Sequence, residues 1–264
     1  MTHQQILEKL SAKALVQAVD EDLARLTFEA MCYHKNDTKK QAAYIIPRLM
    51  LRWNCVLDAG KELKESYRQV TVVAIAVLLH KYGFADKKLI SQALKAIDLL
   101  NKKVVLSDAF ARQSENIKKL IESTPASLKR KPSTPGSITF YREKDVVSMR
   151  LRDQYYGAYI HRLTAPNESP IIELYDGVFT QPPTLAELEK LPAKGQVYND
   201  GSTRVYHMAI SGMKQEPDPA NQVKLIASNV KKIPAAKHLE PSVGLYAMLD
   251  LFSLQDTIIS MFSK

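Results

Sequence analysis

The stretch YYGAYIHRLTAPNESPIIELYDGVF, residues 155–179, holds the side chains of this chain best suited to chemistry. An imidazole, His161, and a carboxylate, Glu173, would serve as general base and orienting acid if a sheet set them side by side. Base catalysis also requires a nucleophile or a positioned water, an oxyanion donor and an enclosed pocket. No serine or cysteine stands in a recognisable nucleophile context. The chain has no nucleophile elbow, no phosphate-binding glycine loop, no dinucleotide fingerprint and no HExxH. The six histidines, at positions 3, 34, 80, 161, 207 and 238, include no pair at ligand spacing. Cys32 and Cys55 lie in helical stretches without further ligands nearby, so they are expected to be reduced and buried. The sequence therefore predicts no catalytic residue, no metal and no cofactor.

What remains for these residues is a sheet that binds a partner. A turn at Asp153-Gln154 sets Val147 opposite Ile160, Met149 opposite Ala158 and Leu151 opposite Tyr156, which is a core face. The other face then carries Arg150 beside Gly157, Ser148 beside Tyr159 and Arg152 beside Tyr155. A second hairpin across 164–170 pairs Ile160 with Leu174 inside, and His161 with Glu173 and Tyr159 with Tyr175 outside. Such opposite-charge and aromatic pairs contribute about 0.2–1 kcal/mol each. Arg150, Arg152, Tyr155, Tyr159, His161, Glu173 and Tyr175 are thus predicted as an outward face of residue types favoured where proteins recognise partners.

Two halves with different periodicities must carry this face. In the first, apolar residues recur every three or four positions, predicting helices over 4–19, 21–33, about 38–60 with a kink at Pro47, 61–82, 86–103 and 108–123. Asp37 and Asp86 are predicted N-caps. VTVVAIAVLL, 70–79, is apolar on every side and is expected at the centre of a bundle. The second half changes to a period of two, with short strands at 145–152, 155–163, 170–176, 204–210 and 222–228 and a helical tail from about Pro241. Between them STPASLKRKPSTPG, 123–136, reads as a linker. The predicted class is α+β: a helical bundle over 1–122, then a small antiparallel sheet or barrel-like domain over 137–264 with a C-terminal helix.

Charge divides along the same boundary. Residues 1–135 carry 23 Lys and Arg against 14 Asp and Glu, whereas 136–264 carry 14 against 14. A basic helical half suits nucleic acid or an acidic protein, and 74–97 loosely resembles a helix-turn-helix. Residues suited to base edges are sparse on its second helix. No apolar run approaches the roughly 20 residues that span a bilayer, and no signal peptide opens the chain. A cytoplasmic protein without membrane contact is expected.

DVVSMRLRDQYYGAYIHRL, followed by PIIELYDGVF, resembles a family of bacterial immunity proteins. The matching residues are Asp145, Val146, Tyr156, Gly157, Pro170, Ile172, Glu173, Tyr175 and Asp176, within roughly 35 of the 264 residues. The resemblance implies a non-enzymatic protein that blocks a cognate toxin by binding it. It does not reach residues 1–135, and this chain is basic where many immunity proteins are acidic. A DNA-binding regulator with a basic helical domain and a β-rich sensor or dimerisation domain is the alternative. Oligomeric state is left open.

Overall fold

The computed structural model describes residues 1–263. The chain divides into two compact units, Met1–Pro135 and Gly136–Lys264, and the class is α+β.

The first unit is helical: α1 (His3–Lys9), α2 (Lys13–Tyr33), α3 (Thr38–Leu57), α4 (Glu65–Lys81), α5 (Lys87–Lys102) and α6 (Asp108–Glu122). α4 is the hub, packed against the other five helices. Every residue from Gln69 to His80 is buried, as a helix without a polar face requires. The predicted caps form: Asp37 accepts from the Lys40 N–H and Asp86 from the Leu89 N–H. Two boundaries differ from expectation. The break falls at Leu10–Ala12, where Ser11 takes a φ of 51°, so 13–33 is one continuous helix. Pro47 does not divide α3. Pro47 and Ala43, whose carbonyl loses its donor, are both exposed, so water can take the place of the missing bond.

The segment after α6 has no regular structure, yet its first part is docked on the bundle. Gly83, with a φ of 87°, ends α4, and a Cβ there would stand 2.9 Å from the Ala126 carbonyl oxygen. His80 Nε2 lies 2.9 Å from Ser123 Oγ. Its Nδ1 lies 2.8 Å from His3 Nε2, which ties α1 to the same place.

The second unit holds β1 (Val146–Leu151), β2 (Gln154–Ala165), β3 (Glu168–Leu174), the short helix α7 (Leu185–Leu188), β4 (Gln196–Val197), β5 (Thr203–Arg204), β6 (Met208–Ser211), β7 (Val223–Ala227), β8 (Ala247–Asp250) and α8 (Leu251–Phe262). Six strands form one open sheet in the order β7-β1-β2-β3-β6-β8, and β4 pairs with β5 apart from it. The sheet is mixed, because β8 joins β6 in parallel while all other pairs are antiparallel. It is not a closed barrel. The predicted helical tail starts later than expected, since β8 occupies Ala247–Asp250 and Asp250 caps α8 by accepting from the Ser253 N–H.

The hairpin turn is Arg152-Asp153, with Arg152 at a φ of 56°. Val147 therefore pairs with Ala158 and Met149 with Tyr156, two positions away from the expected register. A slip of two keeps every side chain on its predicted face, because the strand repeat is two. The faces themselves are the correction. One, with Val147, Met149, Tyr156 and Ala158, meets α8, where the Tyr156 ring lies 4.9 Å from that of Phe262. The other, predicted to face solvent, is a second core in which Val146, Tyr159, Tyr175 and Val230 pack around Leu188. Gly157 lies directly beneath the Leu188 side chain, so this strand can approach α7 only without a Cβ.

Candidate functional site

Three adjacent strands meet at a cluster of ionisable groups. Glu173 on β3 pairs with Tyr159 on β2, and on its other side Ile172 pairs with Met208 at the start of β6. Carrying that antiparallel register one step further brings His207 beside Glu173. His161 arrives by a different device. The β2–β3 register shifts between Ile160, which pairs with Ile172, and Arg162, which pairs with Ile171. His161 is the extra residue of a β-bulge, an irregularity that re-aims side chains. The expected direct cross-strand pairing of His161 with Glu173 is therefore replaced by a contact through the bulge.

His161 Nε2 stands 2.9 Å from Glu173 Oε2. His207 Nε2 is 3.6 Å from Oε1, beyond hydrogen-bond reach, and the two imidazole rings are 4.6 Å apart. The Tyr159 ring lies edge-on to His161 at 4.9 Å, and its hydroxyl donates to the Val230 carbonyl at 2.9 Å. Glu173 is a buried acid with a side-chain exposure of 3%, whereas His161 and His207 reach the surface. Its Oε1 has no hydrogen-bond partner. Burial pushes the Glu173 carboxyl up, but the two imidazoles outweigh it and hold the group below its usual range. An ionised carboxylate buried beside two imidazoles can share protons with them or, with them, ligate a cation.

Of the other predicted site residues only Tyr159 touches this cluster. Tyr155, Tyr159 and Tyr175 are buried, and burial pushes the phenols of Tyr159 and Tyr175 up. Arg150 is half-buried, its Nε donating to the Arg152 carbonyl at 3.1 Å. Of the seven residues only Arg152, in the hairpin turn, is exposed. They do not form one outward face, because α7 and the chain around Val230 cover it. His207 escaped the sequence reading. It fell within a predicted strand, but nothing local indicated that this strand would lie beside Glu173.

The chain matches no protein family, no curated protein and no solved structure.

Proposed function

We propose that the protein binds a cognate bacterial toxin in the cytoplasm and neutralises it by steric occlusion, without catalysis of its own. The observation that carries this reading is an apolar sheet edge. β8 is a terminal strand of the six-stranded sheet; the segment entering it exposes Val243 and Leu245 at 67% and 76%, and β8 itself exposes Met248 at 63%. An open edge flanked by exposed apolar side chains suits a partner strand that adds main-chain hydrogen bonds and fills side-chain pockets. No helix among the described residues is long and apolar enough to cross a membrane. The resemblance to immunity proteins adds support, because its residues set the frame of this sheet. Asp145 accepts from the Arg142 N–H at the entrance to β1, Tyr156 packs on α8, and Gly157 admits Leu188.

The test is co-expression with the product of the gene immediately upstream of its own. The expected result is restored growth and a complex that survives high salt. Replacing Val243, Leu245 and Met248 together by serine should speed release at least about tenfold, since interface changes act chiefly on the off-rate. The excess of Lys and Arg in residues 1–135 favours the regulator as the second reading. Binding one DNA sequence at least about a thousandfold more tightly than random DNA at physiological salt would establish that reading instead.

A further inference from the structure

We propose that His161, Glu173 and His207 form the binding site of a divalent transition-metal ion of the zinc type, held by two imidazole nitrogens and one carboxylate oxygen. Two imidazoles with one carboxylate are a donor set for zinc, cobalt, nickel or ferrous iron; calcium and magnesium prefer oxygen donors. The ligand atoms of the three side chains lie within 4.8 Å of one another. Atoms bound tetrahedrally to one zinc ion at about 2.0–2.1 Å lie about 3.4 Å apart. The cluster must therefore tighten by up to about 1.4 Å at its widest. That movement would fall to the two partly exposed imidazoles, while the buried carboxylate stays fixed.

The orphaned oxygen separates an ion site from a proton-sharing cluster. The His161 N–H satisfies Glu173 Oε2, but Oε1 has no hydrogen bond, its nearest donor being His207 Nε2 at 3.6 Å, although Glu173 is almost wholly buried. Buried carboxylate oxygens are ordinarily paired. An ion bound to the carboxylate and both imidazoles would neutralise the buried charge and engage the second imidazole in one step. Each histidine would bind it as a neutral imidazole through a nitrogen lone pair, with the ring proton held on the other nitrogen; only an imidazolium would release a proton on binding. With side-chain exposures of 22% and 28% for His161 and His207, the imidazole side is open to the ion and to a water completing four-coordination.

The experiment uses the full-length, tag-free chain, stripped with chelator and titrated with zinc chloride and separately with cobalt chloride. Uptake is read by elemental analysis and by the visible absorption of tetrahedral cobalt. One ion per chain is expected, together with a rise in thermal midpoint, because an ion that binds only the folded chain stabilises it. His207→Ala, at a partly exposed position, should weaken binding about a hundredfold or more, beyond the cost of losing a second-shell partner. Glu173→Gln should do the same, and if it unfolds the chain, the His207→Ala result decides. Replacing the other close histidine pair, His3 and His80, should leave the stoichiometry at one. No bound ion, or uptake equal in the wild-type chain and the His161→Ala/His207→Ala double variant, overturns the proposal.

Discussion

Asp22 in the helical unit and Glu173 in the sheet unit are both buried acids, but they are neutralised in opposite ways. Asp22 Oδ2 accepts from Arg52 Nε at 2.8 Å and from the Trp53 indole at 2.9 Å. Its cation is permanent, and all three residues are buried. Glu173 is met by two imidazoles, both partly open to solvent, and one of its oxygens has no hydrogen-bond partner. The first arrangement serves structure: it has one state and nothing to exchange. The second has several states, which is what a site needs.

Arg52→Ala should test that contrast most severely. Removing one member of a buried pair leaves the other charge uncompensated and costs about 3–5 kcal/mol. Urea unfolding followed by helical circular dichroism would show the loss; a change under about 1 kcal/mol would mean that Asp22 is readily rehydrated.

A backbone substitution comes next. Gly83→Ala places a Cβ against the Ala126 carbonyl at a positive φ, and about 1–3 kcal/mol of destabilisation is expected in the same assay. In the sheet unit, Tyr159→Phe removes only the hydroxyl that donates to Val230, so the loss should be about 0.5–1.5 kcal/mol. If Tyr159→Phe left stability unchanged but abolished partner binding, Tyr159 would belong to an interface and not to the core.

The pH dependences of the two units should also differ. Burial first, then His80 and Lys81, hold the His3 pKa below its usual 6.5. A depressed folded-state pKa means that the contribution is present above the unfolded value and is lost as pH falls through it. The docking of α1 should therefore weaken on mild acidification, and His3→Gln should flatten that loss. The Glu173 pKa lies below its usual 4.5, so its contribution holds through mild acid and fades only in stronger acid. Hydrogen exchange along the chain at stepwise lower pH would separate the two. Protection lost first in β2 and β3 would reverse the expected order.

The helical unit was the more legible because its signals are local. The apolar spacing and acidic cap of α5 lie within the helix they specify, with Leu89, Ala93, Ala96, Ile97 and Leu100 buried along one face. The strands were legible as strands, but their partners were not. β6 lies beside β3 in the sheet across a long connection, and that pairing alone brings His207 to Glu173. A turn at Asp153-Gln154 was a reasonable expectation until Arg152 took a left-handed conformation. The covered second face had a readable signal: Val146, Gly157 and Tyr159 share it, and a bare glycine between large residues marks a close neighbour. Leu188, which fills that space, stands far along the chain.

The bulge at His161 has a consequence that can be put in terms of inheritance. β2 carries one residue more than β3 needs, and that residue is a member of the cluster. Deleting a single codon there would restore an unbroken ladder and remove the imidazole in the same event, with Tyr159 and Glu173 still paired. A site built on one surplus residue of a regular strand can be acquired or discarded in one mutational step, while the fold around it passes on unchanged.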